Sequence, residues 1–175
     1  MANSWKRAVF LDRDGVINID TGYPHRIDEF VLIPGAAAAI RRANEAGYSV
    51  FVVTNQGGIG LGYFSVDTLT AFHDHMISVL EAEQAIITDI AFCPHHPKAL
   101  LEENRDCDCR KPKPAMILDL AERHHIDLAA SAMIGDRDTD IMAAEAAGVR
   151  GFLFDGVNLD HLMQDVLNQL SGRAA

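Results

Sequence analysis

Two aspartates directly follow an apolar segment near the N-terminus. In FLDRDGVIN (10–18), a short hydrophobic run ends in Asp12 and Asp14, with one residue between them. Two carboxylates at the end of a buried strand lose hydration and repel each other, so the pattern needs a chemical reason. With Asp136 they would attract Mg²⁺, a hard cation that prefers oxygen ligands. A carboxylate can also attack phosphorus, and a second one nearby can donate and accept protons.

The alternative for such acids is a structural role in a loop or at a helix N-terminus. That role is a sufficient account of Asp138 or Asp140 taken singly. It does not account for Asp12, because an acid that ends a buried strand has no helix to cap. The sequence therefore favours a metal site that also carries out phosphoryl chemistry.

Hydroxyl and cationic side chains follow other apolar segments in the chain. Thr54 ends the run YSVFVVT (48–54), and Lys111 lies in the segment Arg-Lys-Pro-Lys (110–113). Both can bind the oxygens of a phosphoryl group, over which charge is spread during transfer. We expect Thr54 and Lys111 to join Asp12 and Asp14 as catalytic residues.

A second cluster of metal-binding residue types lies between 93 and 109. Cys93, His95, Cys107 and Cys109 suit a tetrahedral zinc site, with His96 as a substitute for His95. Four protein ligands close such a site, so its predicted role is structural: it would hold the loop and orient Arg110 and Lys111. The alternative is that the thiols are free and reduced.

The apolar segments alternate between strand and helix patterns. Short β-rich runs predict strands at 8–11, 48–54, 86–93, 131–135 and 150–154, and amphipathic helices are predicted between and after them. Ser65 is a predicted N-cap, and Pro114 is predicted to open a helix. This order indicates an α/β fold: a doubly wound, Rossmann-like parallel sheet with helices on both faces. Ligands bind at the carboxyl ends of such strands, where the polar clusters lie.

Composition limits the classes of function. A chain of 175 residues suits one domain, here 1–175, with the zinc loop at 93–109. The net charge of −10 argues against nucleic-acid binding. No apolar run is long enough for a membrane span, and MANSWKR lacks the apolar core of a signal peptide, so we expect a cytoplasmic protein. Three cysteines without an export signal argue against a disulfide framework.

The motifs together resemble the haloacid dehalogenase superfamily. Asp12-Arg13-Asp14-Gly15-Val16, Thr54-Asn55, Lys111, and Gly135-Asp136 with Asp140 match its four motifs in order. The resemblance implies that Asp12 is the nucleophile, forming an aspartyl phosphate, and that Asp14 is the general acid and base. It also implies that Mg²⁺ is bound by Asp12, Asp136 and the backbone carbonyl of Asp14.

CPHHP (93–97) and CDCRKP (107–112) narrow this resemblance. They resemble the zinc-loop members of the superfamily, the heptose bisphosphate phosphatases and the related histidinol-phosphate phosphatase domain. The insertions between the motifs of this chain are short, so we expect no large cap domain. The first group removes the C7 phosphate during synthesis of activated heptose for lipopolysaccharide or S-layer glycans; the second serves histidine biosynthesis. The implied substrate-binding residues are Asp20, Thr21, Gly22, Tyr23, Asn55, Gln56, Gly57, Arg110 and Arg137. We expect a monomer that acts on a sugar bisphosphate.

Two further interpretations carry less weight. A phospho-accepting signalling domain would place an acid at the end of the third strand, where this chain has Phe92-Cys93-Pro94. A zinc-organised binding protein without activity would not need all four catalytic motifs. The histidines outside the zinc loop are predicted to have no catalytic role: His73 and His75 should be solvated, and His124 and His125 close a helix.

Overall fold

A parallel β-sheet forms the centre of the protein. The computed structural model describes residues 5–172, and within them the sheet has five strands in the order β3-β2-β1-β4-β5. The strands are β1 (Arg7–Leu11), β2 (Tyr48–Asn55), β3 (Asp89–Cys93), β4 (Ala132–Gly135) and β5 (Arg150–Leu153). All pairings are parallel. The strand order reverses beside β1, so a ligand is expected at its carboxyl end.

Helices cover both faces of the sheet. They are α1 (Ala36–Glu45), α2 (Val66–Ala82), α3 (Ala115–His124), α4 (Asp138–Ala146) and α5 (Leu159–Ser171). Val9 and Leu11 of β1 pack in the core that holds α1, α2 and α5, whereas Ala8 and Phe10 pack in the core that holds α3 and α4. The period-2 alternation of a strand therefore gives each face its own apolar layer.

The predicted fold class is confirmed. Within the described residues, the long segments after β1 and β3 carry only short 3₁₀ helices, at Ile27–Glu29 and Glu102–Asn104, and neither segment forms a large cap. A third 3₁₀ helix spans Leu128–Ala130. Without a cap, the carboxyl edge of the sheet stays open to a ligand.

Two helix boundaries follow the sequence signals. The Ser65 hydroxyl accepts a hydrogen bond from the backbone N–H of Thr68 at 3.1 Å, which is the N-cap interaction predicted for α2 and is worth about 1 kcal/mol. After α1, Gly47 has a φ of +80°, a left-handed conformation that glycine adopts without strain. The turn at Gly47 leads directly into β2.

The third strand begins later than the sequence predicts. β3 starts at Asp89 rather than at residue 86. The backbone N–H of Ile86 donates to the Asn44 side chain, and only at Thr88 does the chain reach β2, through a hydrogen bond to the Val50 carbonyl. The strand-like pattern continues through 86–88, but Ile86 and Thr88 are exposed and Ile87 packs against the core, and none of the three extends the ladder.

No helix in residues 5–172 combines the length and the apolar character needed to cross a membrane. Residues 1–4 of the MANSWKR segment lie outside the described part of the chain.

Candidate active site

A cavity of about 550 Å³ opens at the carboxyl edge of the sheet. Residues from all four polar motifs line it: Asp12, Asp14, Asp20, Gly22, Tyr23, Thr54, Asn55, Gly57, Arg110, Lys111, Pro112, Arg137, Asp138, Thr139 and Asp140. Most of the predicted catalytic and substrate-binding side chains therefore lie around one space. Thr21 is exposed on the same loop as Gly22 but does not line the cavity.

A buried lysine joins two of the acids that line the cavity. The Lys111 ammonium lies 2.9 Å from Asp12 Oδ1 and 2.6 Å from Asp140 Oδ1, and it donates to the Val53 carbonyl at 2.7 Å. Burial opposes the ammonium form, but the two carboxylates outweigh it and raise the pKa of Lys111. Lys111 is therefore a fixed positive charge at the end of β2.

Asp12 is a carboxyl group held in a dry environment. Burial raises the pKa of Asp12 to about 6, although Lys111 opposes the shift and Asp140 adds to it. The backbone N–H of Arg13 donates to Asp12 Oδ1 at 2.8 Å, which fixes the orientation of the carboxyl group. A buried carboxylate with few water contacts is a better nucleophile than a hydrated one.

The third acid of this cluster has an oxygen without a partner. Asp12, Asp136 and Asp140 each offer a carboxylate oxygen within 4.8 Å of the others. Among the described residues, Asp136 Oδ1 is buried and makes no hydrogen bond, and burial, with Asp140 beside it, raises the pKa of Asp136. An unpaired oxygen among carboxylates fits a bound cation.

A glycine allows this close approach of the acids. Gly15 has a φ of +84°, and a Cβ atom there would overlap the Asp136 carboxylate. Glycine at this position of the Asp-x-Asp-Gly motif therefore allows both the left-handed turn and the close approach of Asp136.

Asp14 is held by a different set of donors. Its carboxylate accepts hydrogen bonds from Arg13 Nε and Nη2 at 2.8 and 2.9 Å, from Asn18 Nδ2 at 3.0 Å and from Gln56 Nε2 at 2.9 Å. This carboxylate lines the cavity without belonging to the cluster of Asp12, Asp136 and Asp140.

Residues at the end of β2 hold the segment that follows the thiol-bearing loop at 93–109. Asn55 accepts a hydrogen bond from the Lys111 backbone N–H and donates one to its carbonyl, at 3.0 and 3.1 Å. Gln56 is buried and donates to Thr54 Oγ1 at 2.9 Å as well as to Asp14. Gln56 therefore supports two predicted catalytic residues from behind the cavity.

Two arginines occupy the outer part of the cavity. Arg110 Nη1 donates to the His95 carbonyl at 3.0 Å, so the loop that carries the thiols orients this guanidinium. Arg137 is largely exposed, and its Nη2 lies 2.8 Å from Asp20 Oδ2. Both guanidiniums keep donors that can bind a second anionic group.

The four predicted zinc ligands form one cluster. Their donor atoms lie within 4.8 Å of one another: Cys93 Sγ is 3.6 Å from Cys107 Sγ and 3.7 Å from His95 Nδ1, and His95 Nδ1 is 3.2 Å from Cys109 Sγ. All three thiols are free of disulfides. His96 is turned away, since its Nδ1 accepts from the Lys98 backbone N–H. The preference for His95 over His96 matches this geometry.

One histidine prediction is wrong. His73 is buried rather than solvated, and its Nε2 lies 3.1 Å from Nη1 of the fully buried Arg13. The apolar pattern of α2 does not indicate that Arg13, in the segment after β1, places its guanidinium against His73.

Asp140, to which the sequence assigned no ligand role, lies in the same cluster as Asp12 and Asp136. It matched the last motif, which was the available signal, and it serves two roles at once: it binds Lys111 and accepts from the Arg137 backbone N–H at the start of α4.

Comparison with known sequences places these residues in a family. A family model of HAD-hydrolase-like proteins matches residues 108–165. The chain is 46% identical over 169 residues, 96% of its length and 93% of the relative's, to a Rhodopseudomonas palustris protein named D-glycero-beta-D-manno-heptose-1,7-bisphosphate 7-phosphatase. An Escherichia coli K12 protein of the same name is 46% identical over 146 residues, covering 81% of this chain and 75% of that protein.

A solved structure is similar to this chain in both fold and sequence. The D,D-heptose 1,7-bisphosphate phosphatase from B. bronchiseptica, crystallised with magnesium and phosphate, superposes with a TM-score of 0.82 at 32% identity. The match covers 93% of this chain and 99% of that one.

Proposed function

Because the chain belongs to the D-glycero-beta-D-manno-heptose-1,7-bisphosphate 7-phosphatase family of HAD-like hydrolases, we propose that it removes the C7 phosphate of that heptose bisphosphate. The observation that carries the proposal is the 46% identity over 96% of the chain. The cavity supports it, because Asp12, Asp14 and Lys111 line the space that a phosphate would enter.

In the first step Asp12 attacks phosphorus. A new bond forms between a carboxylate oxygen of Asp12 and phosphorus, and the bond from phosphorus to the C7 oxygen breaks. Asp14 gives its proton to the departing oxygen, so the sugar leaves as a neutral alcohol. The product on the enzyme is an aspartyl phosphate at Asp12.

In the second step water releases the phosphate. Asp14, now ionised, takes a proton from a water molecule that attacks phosphorus. The bond to Asp12 breaks, which regenerates its carboxylate and the protonated Asp14. Lys111 and Thr54 bind the phosphoryl oxygens, and their fixed positions stabilise the charge that spreads over those oxygens in both steps.

Magnesium fits the acids beneath the cavity. Asp12 and Asp136 would hold it through their carboxylates and Asp14 through its backbone carbonyl, and the unpaired Asp136 Oδ1 supports this assignment. The ion would supply positive charge next to the phosphate and favour the ionised form of Asp12. Asp140 would act through Lys111, whose ammonium it holds.

The outer cavity would recognise the remainder of the substrate. Arg110 and Arg137 are placed to bind a second phosphate, and the loop from Asp20 to Tyr23, with Asn55 and Gly57, would contact the sugar. A cavity of about 550 Å³ is adequate for a sugar bisphosphate. Gln56 and Thr21, which do not line the cavity, would contribute through neighbouring residues.

Zinc is proposed at Cys93, His95, Cys107 and Cys109, with a structural role. We further propose that the enzyme acts as a monomer in the cytoplasm, on the route to activated heptose for lipopolysaccharide or S-layer glycans.

The test is phosphate release with Mg²⁺ from three substrates: the β and α anomers of D-glycero-D-manno-heptose 1,7-bisphosphate, and histidinol phosphate. We expect the highest kcat/KM for the β anomer, the form in the names of the relatives. A preference for histidinol phosphate would overturn the proposed substrate and leave the chemistry of Asp12 intact.

A further inference from the structure

Arg13 is a cation enclosed by protein. It stands between Asp12 and Asp14 in the sequence, and its side chain is fully buried. A guanidinium without water must satisfy its N–H groups inside the protein, or its burial is costly. The partners of Arg13 therefore determine where its planar group can lie.

Two of these partners are the oxygens of Asp14. Arg13 Nε and Nη2 donate to Asp14 Oδ1 and Oδ2, a bidentate pair that fixes the plane of the carboxylate. Nη2 also contacts the Pro24 carbonyl at 2.9 Å and Gln56 Oε1 at 3.3 Å. The guanidinium therefore supplies two of the four hydrogen bonds that hold the Asp14 carboxylate, the others coming from Asn18 and Gln56.

The opposite end of the guanidinium rests on α2. Nη1 lies 3.1 Å from His73 Nε2, and the guanidinium carbon lies 4.5 Å above the centre of the Phe72 ring. Because arginine only donates, His73 Nε2 must be the acceptor, which makes the ring neutral with its proton on Nδ1. Burial, and then the charge of Arg13, lowers the pKa of His73 to about 3, in agreement with a neutral ring.

We propose that His73 is a positioning residue: by accepting a hydrogen bond from Arg13 it fixes the guanidinium that holds Asp14 in place for proton transfer. The inference rests on the proposed function, since it assigns the group that aligns the general acid. His73 does not touch the cavity, so it acts only through Arg13.

Three substitutions separate the hydrogen bond from the packing. His73→Gln places an amide oxygen close to the position of Nε2 and keeps an acceptor for Arg13. His73→Asn carries the same amide on a side chain one carbon shorter, which does not reach Nη1. His73→Leu retains apolar volume without any acceptor. The midpoints of thermal unfolding show which variants are folded.

Two substrates separate proton transfer from general damage. The heptose bisphosphate needs a proton on its leaving oxygen, whereas the nitrophenolate of p-nitrophenyl phosphate leaves without one. The parameter kcat/KM reports the steps up to departure of that group. Misplaced Asp14 should therefore affect the sugar substrate more than the aryl substrate.

We expect His73→Asn and His73→Leu to lower kcat/KM for the heptose bisphosphate about tenfold, and for p-nitrophenyl phosphate less than about threefold. His73→Gln should stay within about twofold of wild type on both. Equal losses in folded Gln and Asn variants, or equal losses on both substrates, would overturn the positioning role. If Asn and Leu do not fold, a tenfold loss in folded Gln overturns it and near wild-type activity in Gln upholds it. Wild-type protein that releases no phosphate from either substrate would instead contradict the proposed function.

Discussion

Two clusters of potential metal ligands lie at the same end of the sheet and differ in their surroundings. Asp12, Asp136 and Asp140 form the carboxylate cluster. The buried Lys111 pairs with Asp12 and Asp140, and the same two acids line a cavity of about 550 Å³. Cys93, His95, Cys107 and Cys109, the thiol cluster, have their donor atoms directed at one another, and none of these residues lines that cavity.

The difference in surroundings matches the roles proposed for the two clusters, catalytic for the carboxylates and structural for the thiols. The carboxylate cluster leaves oxygens and space for a substrate, as a catalytic metal site requires. The thiol cluster supplies four protein donors and no open position, as a structural zinc site requires. Cys109, Arg110 and Lys111 are consecutive, so the thiol cluster fixes the segment that supplies a cation to the carboxylate cluster.

The largest effect should come from removing the lysine of the carboxylate cluster. Lys111→Met leaves Asp12 and Asp140 buried without their counter-ion, which should lower the free energy of unfolding by about 3–5 kcal/mol and abolish phosphate release. Denaturant unfolding measures the first effect and a phosphate assay the second.

Lys113→Met is the matched control for Lys111→Met. Lys113 is half exposed and pairs with Asp106 and Asp108 at 3.3 Å. Its loss should change the free energy of unfolding by less than about 1 kcal/mol. Similar destabilisation by both variants would contradict the importance of the buried cation.

The next largest effect should come from removing a carboxylate that faces the proposed magnesium ion. Asp136→Asn should reduce kcat about a hundredfold and raise the Mg²⁺ concentration needed for half-maximal activity, because one ligand oxygen is lost. Asp138→Asn is the control, because Asp138 is an exposed acid at the first residue of α4 that lines the same cavity but lies outside the carboxylate cluster. An unchanged Mg²⁺ requirement in Asp136→Asn would place the ion elsewhere.

A smaller effect is expected from opening the thiol cluster. Cys107→Ser should lose zinc, measured by metal analysis of the purified protein, and should lower kcat/KM about tenfold as Arg110 loses its support. Added Mg²⁺ should not restore that activity. Full activity in zinc-free protein would show that the two clusters act independently.

The smallest effect is expected from replacing His96, the neighbour of His95 in the loop at 93–109. His96→Gln should keep its zinc and stay within about twofold of wild-type activity, because His96 lies outside the thiol cluster. His95→Gln should lose zinc as Cys107→Ser does. The reverse result would exchange the roles of His95 and His96.

The sequence predicts β1, β2 and β4 well because these strands are largely buried on both faces. The apolar runs AVFL and YSVFVVT identify β1 and β2, and the polar residues at their ends indicate the edge at which a ligand is expected. The start of β3 is different. Residues 86–88 have strand character, but where pairing begins depends on contacts with Asn44 and Val50 that no local pattern contains.

The candidate site is predictable where chemistry dictates residue types and is not predictable where packing does. Asp12 and the thiol ligands stand out because carboxylates and cysteines in such patterns require an explanation. His73 gives no such signal, because its burial depends on Arg13, a residue 60 positions away. Asp140 pairs with Lys111 and also accepts a hydrogen bond from the Arg137 backbone N–H. The motif that contains Asp140 does not indicate either contact.

The most direct test of the central claim is phosphate release from the β-anomer heptose bisphosphate by wild-type protein and by Asp12→Asn. Asparagine has nearly the size of aspartate, and Lys111 keeps Asp140 as its counter-ion, so the variant should fold. We predict that the wild type releases the C7 phosphate and that Asp12→Asn loses at least about a thousandfold in kcat. Full activity in folded Asp12→Asn would contradict the claim that Asp12 is the nucleophile.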